Sequence, residues 1–204
     1  MQKQKNNVRD LLLTVARDEF LKNGVKKTSM QTLAQKSGVA VGNIYNYFKS
    51  KDDLLKAILA PMLKAYEEYR RTGRSQFYNT TDVFEYEEYF YMMKNLVVSF
   101  IVPYRSELKL MIVETAGTSL EHYFDRFIEA QLRDGERYLA TMKGKYPHLQ
   151  VNLSKHFLPL LCQFWASILK ELVVNEKMTS NEQDALLSDY VKFDLGGWKL
   201  LMGV

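Results

Sequence analysis

Apolar residues return every three or four positions along almost the whole chain, a period that suits amphipathic helices and little else. It is plain from the start, where Val8, Leu11, Leu12, Val15, Ala16, Phe20 and Leu21 share one face of a segment from Asn6 to Asn23, and Asn23-Gly24 supplies the stop. No alternating run of β-branched residues is long enough for a strand, and no internal repeat of about 20–50 residues occurs. The expected fold class is therefore all-α.

Caps and breakers divide the pattern into about nine helices. In "KKTSMQTLAQKSG", Thr28 and Gln31 have the spacing of a capping box and Gly38 ends a second helix after two or three turns. A third is predicted from Ala40 to Tyr47. A fourth opens at Ser50, paired with Asp53, and runs to about Arg71, with Pro61 as an expected kink. The polar stretch "RTGRSQFYNTTD", 71–82, reads as a linker in which Gly73 breaks the pattern and Asp82 offers a cap. Further helices are expected over 83–101, 104–115, 119–145, 153–176 and 181–202, separated by Pro103, Gly117-Thr118-Ser119, Tyr146-Pro147 and Thr179-Ser180-Asn181.

At 204 residues the chain suffices for one good core or for a small module joined to a larger domain. The N-terminus "MQKQKNNVRDLLLTVARDEF" is charged and amphipathic, without the apolar run of a secretory signal. The longest uncharged apolar segment, "HFLPLLCQFWASIL" at 156–169, is too short to span a bilayer and holds Pro159. No membrane association and a cytoplasmic location are expected. The single cysteine, Cys162, excludes an intrachain disulfide and a cysteine metal cluster, and reads as a small buried hydrophobe.

Catalytic signatures are missing as well. His122, His148 and His156 are preceded three residues earlier by Ser119, Lys145 and Leu153, so no Glu-x-x-His pair exists, and no H-E-x-x-H, Walker or G-x-S-x-G motif occurs. Glu85, Glu87 and Glu88 suit a solvated helix face. The expectation is no catalytic residue, no metal ligand and no cofactor. The net charge of +4 conceals an asymmetry: residues 1–74 hold 15 Lys and Arg against 7 Asp and Glu, and the remainder 13 against 17. Basic charge gathered at one end suits a polyanion.

One stretch in that basic end, "GVAVGNIYNYFKSKDDLL" at 38–55, resists explanation by packing. With about 100° per residue, Ala40, Ile44 and Phe48 form a stripe facing a core. Gly42 and Asn46 lie opposite, flanked by Asn43 and Tyr45, although a helix-interior glycine costs about 1 kcal/mol relative to alanine. A helix entering the major groove has reason to carry such a face. Gly42 permits close backbone approach, Asn43 and Asn46 have the paired donor and acceptor that adenine matches, and Tyr45 and Tyr47 have hydroxyls for phosphates. Lys51 adds a cation at the next helix N-terminus, and Thr28 a hydroxyl at the start of the second helix. The pattern alone equally accommodates a compact three-helix motif with an exposed polar helix.

The stretch "TSMQTLAQKSGVAVGNIYNYFKSKDDLL" closely resembles the helix-turn-helix signature of the TetR family of transcriptional regulators, T-x-x-x-[IL]-A-x-x-[AS]-G-V-[SA]-x-G-x-[ILF]-Y-x-[HY]-F-x-x-K-x-x-L. Thr28, Leu33, Ala34, Ser37, Gly38, Val39, Ala40, Gly42, Ile44, Tyr45, Tyr47, Phe48, Lys51 and Leu54 match it. The resemblance implies a helix-turn-helix domain over 1–50 and an effector-binding and dimerisation domain over 51–204, with the fourth helix, about 51–71, connecting them. It makes Ala40, Val41, Gly42, Asn43 and Asn46 the base-facing set, and Thr28, Tyr45, Tyr47 and Lys51 the phosphate set. Ala40 stands where serine is more usual and Tyr47 where histidine is, while Val41 offers only an apolar contact such as a thymine methyl.

The partners implied are a double-stranded DNA operator, a small-molecule effector of largely apolar character and a second copy of the chain. For the effector, the resemblance directs attention to Tyr86, Phe90, Met93, Val97, Phe100 and Met111; most form one helical stripe, and ordinary core is the plainer account of any one of them. For the homodimer it points to the last two helices, with Leu158, Leu161, Phe164, Trp165, Ile168 and Trp198 as candidates and Gly196-Gly197 allowing close approach. The implied activity is that of a ligand-responsive repressor. The alternative is a helical nucleic-acid-binding or protein-interaction module without effector response.

Overall fold

The computed structural model describes residues 2–72, 85–150 and 152–203, the side chains of 2–5, 70 and 72 excepted. Among the described residues there are nine helices and no strand. They are α1 (Gln2–Asn23), α2 (Met30–Ser37), α3 (Val41–Ile44), α4 (Lys51–Thr72), α5 (Tyr86–Leu96, continued by a π-helical turn over Val97–Ile101), α6 (Arg105–Val113), α7 (Tyr123–Lys145), α8 (Phe157–Val174) and α9 (Ser180–Met202). The all-α expectation holds. From Gly73 onward the predicted linker lies outside the described residues, as do Asp82 and the predicted helix start at 83. Helix α4 continues through Pro61 to Thr72.

Local chemistry explains the boundaries and moves some of them. The cap of α2 is Ser29, not Thr28: the Ser29 hydroxyl accepts from the Thr32 N–H at 3.0 Å. Thr28 instead turns inward, 3% exposed, and its Oγ1 donates to the Gly24 carbonyl at 2.9 Å. At α4 the Ser50 hydroxyl accepts from the Asp53 N–H at 3.1 Å, while the Asp53 carboxylate reaches one residue beyond the usual box to the Lys49 N–H at 3.2 Å. Thr179 and Glu182 make a complete capping box at α9. The π turn went unseen in the sequence; its Val102 N–H donates to the Val97 carbonyl at 2.8 Å, and the wider turn brings Val97, Phe100 and Ile101 all to the buried side.

The chain packs as two compact units, Met1–Lys64 with Arg105–Phe124, and Ala65–Tyr104 with Asp125–Val204. This differs from the expected division at residue 50. The first part of α4 and all of α6 belong with the N-terminal helices, because α6 packs on α1 and Arg17 pairs with Glu107 at 3.5 Å. Asp52, in the first turn of α4, also accepts from both the N–H and the hydroxyl of Ser119 at 2.9 Å.

In the first unit, Leu12, Ala16 and Phe20 of α1 meet Leu33, Ile44, Phe48, Leu54 and Leu55 in a core where each is at most 5% exposed. The Glu19 carboxylate ties α1 to α2 through Lys36 at 2.8 Å and accepts from Asn23 at 3.0 Å. In the second unit, Leu139, Met142, Leu149, Leu195 and Met202 form a cluster against which Tyr86, Tyr89, Leu158 and Trp198 pack. Tyr66 adds an aromatic layer with Phe100 and Phe127. Helix α8 outgrows the short apolar segment seen in the sequence: at 18 residues it is long and apolar enough to cross a membrane by length and composition alone, with 22% of it buried.

Candidate nucleic-acid interface

The turn between α2 and α3 depends on Gly38, whose φ of 68° lies in the left-handed region where a β-carbon is costly. The Ser37 hydroxyl donates to the Leu33 carbonyl at 2.7 Å and accepts from the Val39 N–H at 3.3 Å, fixing the exit of the chain. Helix α3 is a single turn, shorter than the predicted span to Tyr47. Beyond Ile44 the chain tightens, with Asn46 N–H donating to the Asn43 carbonyl and Tyr47 N–H to that of Ile44.

Within α3 only Ile44 is buried, at 0% exposure. It anchors the turn. Ala40, Gly42, Asn43, Tyr45 and Asn46 are exposed, and Val41 and Tyr47 are half-buried. A β-carbon built at Gly42 meets no heavy atom within 4 Å, so nothing in the protein's own packing requires glycine there. The Asn46 amide donates to the Asn43 side-chain oxygen at 3.3 Å, holding the two amides side by side on the open face.

Two of the expected phosphate contacts are occupied elsewhere. The Thr28 hydroxyl is buried and directed to the Gly24 carbonyl, and its N–H donates to the same oxygen at 3.2 Å, so no donor of Thr28 faces a phosphate. Ser29, which the local pattern does not distinguish from its neighbour, is the exposed hydroxyl at the start of α2. The Lys51 ammonium donates to the carbonyls of Val25 at 2.7 Å and Lys26 at 3.1 Å, pinning the loop before α2 to the start of α4. It stands at that edge with one donor left.

In the second unit the candidate effector residues are packed. The Tyr86 hydroxyl is 2.9 Å from Ser188 Oγ and its ring stacks on Phe90 at 5.8 Å, while Met93, Val97 and Phe100 are buried. Met111, also buried at 2% exposure, lies on α6 in the first unit. Among the described residues, one open concavity lies on α8 and α9: a groove of about 260 Å³ lined by Phe157, Leu160, Leu161, Phe164, Phe193, Asp194, Gly197, Trp198 and Leu201.

Three of the six candidate dimer residues, Leu161, Phe164 and Trp198, line that groove. Leu158 packs towards the cluster and Gly135, Trp165 lies against the Tyr190 ring at 5.2 Å, and Ile168 is half-buried. The most exposed members of the face are Leu160 at 64%, Phe193 at 66% and Leu200 at 84%, none of which the sequence singled out. At the groove floor Asp194 accepts from the Tyr89 hydroxyl at 2.7 Å and from the Trp198 side chain. Burial pushes the Asp194 carboxyl up, and those two hydrogen bonds pull against the shift. Burial likewise holds the Tyr89 phenol well above its ordinary value, so Tyr89 remains the donor.

A turn-linked helix pair whose second member exposes an amide-bearing face defines a helix-turn-helix protein. Residues 12–58 match the model of the bacterial regulatory proteins, tetR family. The transcriptional regulator QacR of Staphylococcus aureus is 30% identical over 105 residues, 48% of this chain and 56% of QacR, so the chain spans about half the length of that relative. The fatty acid degradation regulator FadR of Bacillus halodurans shares the fold at a TM-score of 0.59 and 23% identity, over 92% of this chain and 98% of that one. The transcriptional regulator FadR of Bacillus subtilis, solved in complex with stearoyl-CoA, does so at 0.56 and 18%, over 91% and 96%. Residues 12–58 are thus similar to the DNA-binding segment of the bacterial tetR-family regulatory proteins, and the relative matched over about half its length, QacR, is a transcriptional regulator.

Proposed function

We propose that this protein is a repressor that binds a palindromic operator as a homodimer in the cytoplasm and is released by a largely apolar small molecule. The observation that carries it is the outward face of α3, where Gly42, Asn43 and Asn46 stand open while Ile44 alone is buried. A solvated helix has no need of an uncrowded glycine between exposed amides, whereas a helix in a major groove does. Ala40, Val41, Gly42, Asn43 and Asn46 read bases, and Tyr45, Tyr47 and Lys51 meet phosphates, with Ser29 in place of Thr28.

One turn of helix makes few base contacts, so two copies on two half-sites supply the affinity. The groove on α8 and α9, with Leu160, Phe193 and Leu200 exposed around it, suits a twin better than a bilayer. Its apolar surface continues from one helix onto the other, and α8 carries Lys170 and Glu171 within its length. The effector is assigned to Tyr86, Phe90, Met93, Val97 and Phe100, where methionine and aromatic side chains can part around an apolar guest. The stearoyl-CoA held by the Bacillus subtilis FadR supports a ligand of that character. Effector and operator then weaken each other reciprocally.

Selection of bound fragments from random duplex DNA tests this function. The expected product is a palindrome preferred over unrelated duplex by about 10³-fold or more at physiological salt. Asn43→Ala should alter preference at one position per half-site, and Tyr45→Phe should weaken all sequences alike. Binding that is sequence-blind and vanishes steeply with salt would leave only a nonspecific helical module. Stearoyl-CoA and other apolar compounds, added to the operator complex, test release; a saturating compound that leaves operator affinity unchanged is not the effector.

A further inference from the structure

In the first unit, several cations lie against acids: Arg17 on Glu107, Lys36 on Glu19 and Lys56 on Asp52. Arg9 does not. It stands exposed on α1, and among the described residues its guanidinium has no ion pair and no hydrogen bond; its one recorded contact is with the Phe48 ring, whose centre lies 5.6 Å from the guanidinium carbon. Phe48 is 5% exposed and directly follows the turn that carries Tyr45, Asn46 and Tyr47. A cation from the first helix is thus brought onto Phe48, four residues beyond the end of α3.

Position and chemistry agree on a use for it. A guanidinium resting on an aromatic face is steadied by the ring's quadrupole while its N–H donors remain available at the edge, in the fork that matches a phosphate. A helix whose first residues reach base edges has its far end at the groove wall, where the sugar-phosphate strand runs. Arg9 also lies before the segment 12–58 that is similar to the tetR-family regulatory proteins.

We propose that Arg9 is a phosphate-binding residue which extends the DNA contact beyond the helix-turn-helix, clamping the strand that borders the groove α3 enters, with Phe48 as the platform that aims it. The proposal rests on the DNA-binding function above. The contact is sequence-independent, so it adds affinity and registers the protein on the duplex without selecting bases.

The test measures dissociation constants for the selected operator and for a scrambled duplex across a potassium chloride series, with wild type, Arg9→Met, Arg9→Lys and Asn43→Ala. One phosphate contact contributes a slope of about 0.9 in log K against log salt, so two copies of Arg9 contribute about 1.8; at 0.15 M, relative to 1 M, that is about 30-fold. Arg9→Met keeps an apolar stem over Phe48 and should weaken both duplexes by about that factor, with the slope lowered by about 1.8 and the operator preference unchanged. Arg9→Lys should retain the slope. An Arg9→Met protein with wild-type slope and affinity, while Asn43→Ala still alters base preference, overturns the proposal and leaves Arg9 a cover for Phe48. A slope lowered equally in Arg9→Lys overturns it too, because charge would not be the cause. If the wild type prefers no sequence, the repressor function fails by itself; the slope difference on the scrambled duplex still decides the role of Arg9.

Discussion

Replacing Gly42 by alanine separates stability from function in opposite directions. The added methyl meets no heavy atom within 4 Å, and Gly42 is not among the glycines with positive φ, so alanine fits the backbone as it stands. With no strain to offset it, the loss of unfolded-state freedom should stabilise the protein by about 0.4–1 kcal/mol. For a chain of this size that raises the melting temperature by about 1–4 °C. Against DNA the same methyl lies on the face of closest approach, where overfilling a packed contact costs about 1–3 kcal/mol. Operator affinity should therefore fall by about 5- to 150-fold per half-site. Thermal melting monitored by circular dichroism and a fluorescence-anisotropy titration of the selected operator measure the two effects on one preparation. A variant that melts higher and binds as well as wild type would refute the idea that glycine is kept for the groove. One that melts lower would show that Gly42 serves the fold after all.

The remaining expectations rest on buried partners and on the open face. Thr28→Val removes the hydroxyl that donates to Gly24; because that carbonyl keeps the Thr28 N–H, the cost should be about 1 kcal/mol of stability, read by denaturant titration, with operator affinity of the folded protein unchanged. Glu19 is held below its ordinary 4.5, chiefly by its hydrogen bond from Lys36. Its contribution is therefore present above that value and lost as pH falls through the depressed one, so Glu19→Gln should flatten the acid side of a melting-temperature profile. Asp194 has the opposite sign: raised above 3.8 by burial, it favours the fold more as pH falls and loses that contribution as pH rises through the raised value. Asp194→Asn should remove this acid-side gain without destabilising the protein at neutral pH. Phe193→Glu places a charge where the side chain is 66% exposed, so its effect on the single chain should be small. Sedimentation or light scattering should then report monomer, and a Phe193→Glu protein that remains dimeric would remove α8 and α9 from the interface.

How legible the site was depends on what each residue answers to. The helix-turn-helix could be read because its signals are local: Gly38 must turn, Ile44 must be buried, and Gly42 with two asparagines is a poor helix for any purpose except contact. The caps were nearly legible. Thr28 and Ser29 are neighbours with interchangeable chemistry, and only the depth of the core decides which hydroxyl turns to the Gly24 carbonyl and which caps α2. Lys51 was placed at the correct helix end, but the two carbonyls it binds belong to a loop 25 and 26 residues earlier, a closure that no local pattern announces. Arg9 on Phe48 spans a similar separation and was invisible for the same reason.

The C-terminal half was legible in outline and not in assignment. Helical period says that one face of a helix is apolar; it does not say whether that face meets its own chain, a twin or a ligand. In α8 the apolar residues run most of the way round, and the structure divides them: Leu169, Leu172 and Val173 go to the core, while Leu160 and Phe164 remain outside. Phe193 and Leu200 completed the outside face from α9, yet in sequence they sit among Lys192, Asp194 and Lys199, which dilute the stripe. The effector stripe poses the same question. Met111 is close to Phe100 along the chain, but α6 packs on α1 in the first unit, while Phe100 lies in the second. The π turn just before Pro103 buries Phe100 and Ile101 together, an arrangement that depends on tertiary packing and not on the identity of any single side chain.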